Sequence, residues 1–475
     1  MSNGFRCWTG CVHAAALALP ILLAVCCDPA AASSTRTTLC VVNQIDRPIH
    51  INANVINDKD WDGNSRPDKN FNDIVIAAYD SVCHREELAN QSSAKFTMTI
   101  RIEDPIAINL VVDQKQAETK HNQTLGGSLS YHVDQASGEG TNGLYVRRGL
   151  PDNSDWMGNL ANRRNDILLY QIAMPGSHDA GMYVTNDCTS LAWAEWAKTQ
   201  DLSILNQLGA GARYFDLRPF SHNGTIYVGH FNMGQGCYGA KLQDILNDVR
   251  SFLSDAGGRE VVFLKFSHTD NPGTLAQSVV KMVQDTFRDR LYKSDGTVEL
   301  SNLKLDRVLG KVIAVFDCEY SSAINGRTDN FSNRDGIFHY IDKDFSGNDS
   351  CRKGYGTADG LTVYDVYAHE HELPKMIDDQ LSKLNQYGGD NPGYLFLLSW
   401  TLTGTAGVLD VEALSAVSKP WLPQTLTGIA SRRLKKANII YYDFVDPWTN
   451  AEIIQLNSVT ASSGCRAVEM RTGRC

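Results

Sequence analysis

From residue 166 onward the chain alternates between two periodicities, and this alternation restricts its fold more than any other feature. ILLYQIAM, ARYFDLR, TIYVGHF, VVFLKFS, KVIAVFDC, LTVYDVYA, YLFLLSW and NIIYYDFV are short runs rich in branched and aromatic residues, and they read as strands. Between most of them lie longer amphipathic stretches with the period of helices, such as LQDILNDVRSFL, LAQSVVKMVQDTFRDRL and LPKMIDDQLSKLNQY. A helix between two strands carries the chain to a parallel neighbour, and eight such units can close on themselves. The predicted class is α/β: a (β/α)8 TIM-type barrel over residues 159–455, whose repeats need not be regular. An open doubly wound sheet is the alternative. No Gly-rich dinucleotide motif or P-loop follows any strand to support it.

The preceding residues read differently. Within 37–115, TTLCVVNQ, PIHINANVI, DIVIAAY, KFTMTIRI and AINLVVD are strand-like and separated by polar turns, which predicts a small all-β, sandwich-like domain. Residues 116–158 are polar and rich in Gly, Ser and Asn, and read as a loop-rich connector. In NDKDWDGNSRPDKNFND, Asp58, Asp60, Asp62 and Gly63 match the first half of an EF-hand loop. The twelfth position is Lys69, and the flanks read as strand rather than helix, so a solvated acidic turn is favoured over a calcium loop.

The N-terminus has the layout of a secretory signal over residues 1–32. Arg6 supplies the charge, AAALALPILLAV the apolar core, and Ala30–Ala32 the small residues of a cleavage site. The stretch LAVC, ending at Cys26, has a slight likeness to a lipoprotein box, but Val25 stands where a small residue is wanted. An extracellular protein is expected, with Cys40, Cys83, Cys188, Cys237, Cys318, Cys351, Cys465 and Cys475 left after cleavage. An even number in a secreted chain implies disulfides, and neighbours suggest 40–83, 188–237, 318–351 and 465–475, the last within a tail over 456–475. No CxxC pair argues for structural zinc. Sequons at Asn90, Asn122, Asn223, Asn330 and Asn348 would carry glycans in a eukaryotic secretory pathway. A formal charge of −10 speaks against a nucleic-acid partner or indiscriminate binding to anionic membranes. A monomer is expected.

In a barrel, chemistry gathers at the C-terminal ends of strands. On the predicted strands this places His178 and Asp179 after the first, Asp216 and Arg218 at the second and His230 at the third. Lys265 follows at the fourth, Asp365 and Tyr367 at the sixth, and Asp443 at the eighth. Two imidazoles, an arginine and nearby carboxylates suit phosphodiester cleavage. One histidine removes a proton from an attacking hydroxyl, the other protonates the leaving oxygen, and the arginine neutralises the phosphoryl oxygens. Asp216 is placed to fix the Arg218 guanidinium as a bidentate partner.

PGSHDAG, FDLR, the His230 segment and the lysine-bearing EVVFLKFSH together resemble the X region of phosphatidylinositol-specific phospholipase C, the metal-independent bacterial type in particular, over roughly residues 160 to 450. The resemblance implies a barrel and a lyase-type reaction in which the inositol 2-hydroxyl attacks phosphorus. It makes His178 the general base, His230 the general acid, Asp443 the orienter of His178 and Asp179 that of His230. Arg218 then clamps a phosphate oxygen, and Lys265 adds positive charge at the substrate. Calcium-dependent relatives have acidic residues at both the Asp216 and Arg218 positions, so no catalytic metal or other cofactor is expected here. VYDVYA resembles the family's Asp-x-Tyr segment, which would put Asp365 and Tyr367 on the head group.

One departure stands out. The family's inositol-binding arginine on strand five is missing from KVIAVFDCEY, where Asp317 lies near its place. A glycosylated inositol lipid or another phospholipid head group therefore stays open beside phosphatidylinositol at a membrane surface. A non-catalytic lipid- or glycan-binding barrel is the alternative from another class, and the presence of both histidines counts against it. A metal-dependent glycerophosphodiesterase lacks its strand-end ligand motifs here.

Overall fold

The computed structural model describes residues 35–89, 93–114, 120–128, 130–138, 140–255, 258–269, 272–317, 319–320, 333–344, 360–404 and 410–458. The predicted signal peptide, the 318–351 and 465–475 pairings, the C-terminal tail beyond residue 458, and the sequons at Asn90, Asn330 and Asn348 lie outside these residues.

Nine strands precede the barrel: β1 (Thr35–Asn43), β2 (Ile49–Val55), β3 (Ile74–Ile76), β4 (Ser81–Leu88), β5 (Lys95–Glu103), β6 (Ile106–Asp113), β7 (Lys120–Gly127), β8 (Tyr131–Gly138) and β9 (Thr141–Arg148). They form two sheets, β4-β1-β9-β8-β7 and β3-β2-β5-β6. Alternating residues of both sheets, among them Leu39, Ile51, Phe96, Met98, Leu110, Val133 and Leu144, meet in one core, so the unit is a sandwich. The sandwich is larger than predicted, because the supposed connector over 116–158 supplies β7, β8 and β9. These strands are hard to read because β9 is buried on both faces and polar residues satisfy one another there. Arg147 donates to Asp134 at 2.7 Å and to Gln44 at 2.9 Å. Cys40 and Cys83, directly opposite on β1 and β4, are bonded. In the EF-hand-like turn, Asp58 pairs with Arg66 at 2.7 Å and Asp62 accepts from the Gly63 amide at 2.9 Å. Asp58, Asp60 and Asp62 form no three-ligand cluster among the described residues.

The barrel is closed and wholly parallel, with strands β10 (Met174–Ser177), β12 (Tyr214–Leu217), β16 (Val261–Phe266), β17 (Lys311–Phe316), β18 (Ile337–Asp342), β19 (Gly360–Tyr364), β20 (Leu395–Trp400) and β21 (Ile439–Tyr442) in that order. Six of the predicted strands are in it. The first, ILLYQIAM, meets it only at Met174: residues 169–171 form a short 3-10 turn, and the strand itself is MPGS. TIYVGHF is not in the barrel. It belongs to a separate antiparallel sheet, β11-β15-β14-β13, made of β11 (Asn186–Cys188), β13 (Pro219–His222), β14 (Thr225–Asn232) and β15 (Gln235–Lys241). The missing barrel strand is β18, sequence IFHYID. Residue type alone cannot tell a barrel strand from a hairpin strand of equal length, since both are short runs of branched and aromatic residues. The short hairpin turns around β14 were the available signal: antiparallel strands need only a tight turn, whereas a parallel crossover needs a dozen residues or more. The residues from Thr35 onward cluster as one compact unit, and the sandwich packs on the helices that follow β20 and β21.

Candidate active site

Period two along the barrel strands builds the site. Tyr214, Phe263, Ile313, Val315, Phe338, Tyr340, Leu361, Val363, Ile439 and Tyr441 fill the barrel interior. One inward step beyond the last apolar residue of a strand, the position becomes polar: Asp216, Lys265, Asp317, Asp342, Asp365 and Asp443. His178 continues the inward row of β10. The row passes through Gly176, where a Cβ would lie 2.7 Å from the Tyr441 Cβ, so only glycine lets the two strands approach.

The His178 Nδ1 lies 2.7 Å from the Asp443 carboxylate, and an Arg218 Nη2 lies 3.1 Å from its Nε2. With Nδ1–H donated to Asp443, Nε2 is left as an acceptor, the form a base requires. Burial and, less strongly, the Arg218 charge push His178 down, but Asp443 and Asp179 outweigh both, so its pKa is raised above the ordinary 6.5. His230 projects from β14. Burial lowers its pKa below 6.5, Asp179 opposes this, and Arg218 adds to it. Asp179 Oδ2 is 3.6 Å from His178 Nε2 and 3.6 Å from His230 Nδ1. Asp179 therefore serves both rings, not His230 alone.

The guanidinium of Arg218 spans two carboxylates. Its Nε is 2.5 Å from Asp179, and its Nη2 donates to Asp216 Oδ2 at 2.9 Å. Asp216 offers both contacts from that one oxygen, while its Oδ1 accepts from Ser267 at 3.1 Å, so the expected two-oxygen pairing is not what forms. Burial alone would raise Asp216, yet Arg218 and Lys265 hold it far below the carboxylate range. His178, Asp179 and Asp216 bring ligand atoms within 4.8 Å of one another, as a metal site would, but Arg218 already places a cation against both carboxylates.

Lys265 is consumed by carboxylates: Asp365 at 2.9 Å and Asp216 at 3.7 Å. Tyr340, on the strand that was missed, donates to the same Asp365 oxygen at 2.7 Å. Asp365 is thus held within the site, while Tyr367 is exposed at the rim with its hydroxyl against His369. Burial and the nearby Glu319 push Asp317 up to about 7. With His268 and Glu319, Asp317 forms a second group of ligand-type atoms at the mouth. Ser267, Tyr340, Thr199 and Gln200 escaped sequence reasoning. Tyr340 alternates visibly within IFHYID, but the others carry no local signal.

Cys188 and Cys237 are bonded, joining β11 to β15, and Cys237 sits directly opposite His230. The bridge therefore braces the strand pair that carries His230.

No protein-family model matches the chain. Over 192 residues it is 28% identical to the human PI-PLC X domain-containing protein 3, a match covering 35% of this chain and 56% of that protein. Over 192 residues it is 32% identical to the mouse PI-PLC X domain-containing protein 2, covering 35% and 55%. The 1-phosphatidylinositol phosphodiesterase of Staphylococcus aureus (strain Newman) is 27% identical over 177 residues, covering 34% and 50%. The chain thus spans about half the length of the curated relatives it matches. Among solved structures, the phosphatidylinositol-specific phospholipase C from Listeria monocytogenes aligns with a TM-score of 0.48 at 20% identity, covering 64% of this chain and 99% of that one. These relatives carry phosphatidylinositol phospholipase C or phosphodiesterase names, the family that the PGSHDAG and FDLR segments resemble.

Proposed function

We propose that this chain is a phosphodiesterase of the phosphatidylinositol phospholipase C type, acting on an inositol phospholipid at a membrane surface. The observation that carries the reading is the placement of both imidazoles on one buried carboxylate oxygen, Asp179 Oδ2, with Arg218 against the other oxygen. The inositol 2-hydroxyl gives its proton to His178 Nε2 as its oxygen bonds to phosphorus. The bond from phosphorus to the lipid oxygen breaks, and His230 protonates that oxygen. The products are a cyclic inositol phosphate and a lipid alcohol. Arg218 Nη2, which faces Nε2 in the free site, swings to a phosphate oxygen and frees the base. Proton transfer to His178 creates an imidazolium between Asp443 and Asp179, where it is most stabilised. The guanidinium supplies fixed positive charge at the phosphate, and the reaction proceeds without calcium.

The membrane contact is supported by side chains near His230. Met233, at the tip of the β14–β15 hairpin, is 96% exposed, and Leu191 and Trp193, on the loop after Cys188, are 68% and 64% exposed. Such apolar side chains are costly in water and suited to a bilayer interface. No helix among the described residues is long and apolar enough to cross a membrane. Secretion is supported by two disulfides, which persist in oxidising compartments, and glycosylation by the exposed Asn223.

The test is a phospholipid panel presented as vesicles to the purified protein, with product identification, with and without chelator. Cyclic inositol phosphate from phosphatidylinositol or a glycosylated derivative is expected, undiminished by chelator. Release from non-inositol lipids alone would overturn the head-group assignment. No release from any lipid would overturn the enzyme reading.

A further inference from the structure

Two fully buried polar residues, Thr199 and Gln200, lie between the loop that carries His178 and the loop that carries Asp443. Neither is on a barrel strand. The Thr199 hydroxyl donates to the Asp179 carbonyl at 2.9 Å, and the Thr199 carbonyl accepts from the Phe444 amide at 2.8 Å. The Gln200 side-chain amide donates to the His178 carbonyl at 2.9 Å and to the Tyr442 carbonyl at 3.3 Å, while its oxygen accepts from the Val445 amide at 2.9 Å. One dipeptide thus binds the backbone on both sides of the His178–Asp443 pair.

The backbone it holds is not relaxed. Asp179 and Phe444, each next to a member of that pair, have φ of 41° and 55°. Non-glycine residues are uncommon in this left-handed region and persist where surrounding contacts over-determine them. Thr199 makes one such contact to each of the two residues. A buried amide is unfavourable unless its hydrogen bonds are made, and an apolar side chain of the same size would fill the space equally well. Space filling therefore does not account for glutamine here, whereas its three bonds to two loops do.

We infer that Thr199 and Gln200 are positioning residues of the reaction, clamping the His178 loop to the Asp443 loop and so fixing the contact between imidazole and carboxylate. The inference rests on the reading of His178 as the general base. A loosened clamp lets Asp443 drift from Nδ1. The other groups facing His178 are Asp179 beside it, Asp216 and Arg218 at the end of β12, His230 from β14 and the Tyr441 ring from β21. Losing the Asp443 contact removes a contribution that raises the His178 pKa, so its titration moves to lower pH.

The experiment compares wild type with Thr199→Val, Thr199→Ser and Gln200→Met in the full chain, with folding checked by circular dichroism and melting temperature. The His178 imidazole is titrated by nitrogen NMR without substrate, and kcat and KM are measured on phosphatidylinositol vesicles. Thr199→Val keeps the shape and loses one hydroxyl. It should lower the His178 titration and cut kcat about tenfold, with KM within about threefold, a scale consistent with slight misplacement of a catalytic group. Gln200→Met should do the same more strongly, about 10²-fold in kcat. Thr199→Ser should restore both readouts. A folded Thr199→Val with wild-type titration and kcat would overturn the clamp, and it decides the matter if Gln200→Met does not fold. If wild type cleaves no inositol lipid, the functional reading fails, yet the titration still decides whether these residues position His178.

Discussion

Replacing Asp443 by Asn tests the core of the site with one atom exchanged. In the wild type the carboxylate lies 2.7 Å from His178 Nδ1. When His178 takes the substrate proton, a positive ring forms beside this charge. With the ring charge centred about 4 Å away and an effective dielectric of about 20, the pair is worth about 4 kcal/mol, or about 10³-fold. Asp179, 3.6 Å from Nε2, remains and retains part of the stabilisation. A loss in kcat of about 10²- to 10³-fold is therefore expected, rising toward about 10⁴-fold if the new amide turns its NH₂ to Nδ1 and forces the proton onto Nε2. The pH profile gives a second readout. His178 lies above 6.5 and His230 below it, so the base is more basic than the acid. The productive state, His178 neutral and His230 charged, is then a minority of the singly protonated enzyme. The alkaline limb of kcat/KM follows His178, and the acid limb follows His230. Removing the Asp443 charge lowers His178, so the alkaline limb should move to lower pH, and the acid limb, on which Asp443 acts more weakly, should move the same way by less. The assay is cyclic-phosphate release from a soluble inositol phosphodiester, which removes membrane binding from the rate. A variant within about fivefold of wild type, or an alkaline limb that does not move, would refute this role for Asp443.

His178→Ala and His230→Ala should each lower turnover by about 10²–10⁴-fold with the melting temperature little changed, and a variant of near-normal rate would remove that residue from the mechanism. Arg218→Lys should fall by about 10²-fold or more, because an ammonium cannot span Asp179 and Asp216 while also meeting a phosphate. Chelator should leave the wild-type rate on the soluble substrate intact, and Arg218→Asp should gain a calcium-dependent rate. A wild-type rate abolished by chelator and restored by calcium would refute the assignment of Arg218. Cys188→Ser with Cys237→Ser should cost about 2–4 kcal/mol of stability and lower kcat, since Cys237 pairs with His230 across the hairpin. Unchanged thermal unfolding and kcat would show that the bridge braces nothing.

What the sequence determined on its own was local. Six of the eight barrel strands were legible because each is a short, nearly continuous run of branched and aromatic residues buried on both faces, and because the step to a polar residue at the strand end is visible in LRPF, VYDVYA and YYDFV. His178, Asp216, Arg218 and Asp443 were therefore placed at one end of a barrel by alternation and by the resemblance together. Where that reasoning stopped, the cause was long-range pairing. β14 and β18 look alike as strings, and only pairing across the fold assigns His230 to a side sheet and Tyr340 to the barrel. The strands β7, β8 and β9 read as a loop because their polar residues are satisfied by one another and by Gln44 beyond β1, which no single window of sequence contains. Which carboxylate meets which cation was undecided for the same reason. Asp179 is shared by two imidazoles and Arg218, Lys265 is neutralised by Asp365, and Gln200 reaches from residue 200 to residue 445. Periodicity reports which face of an element is buried. Only the closed barrel brings the ends of distant strands within hydrogen-bond reach, and a site made of such contacts exists only in the tertiary structure.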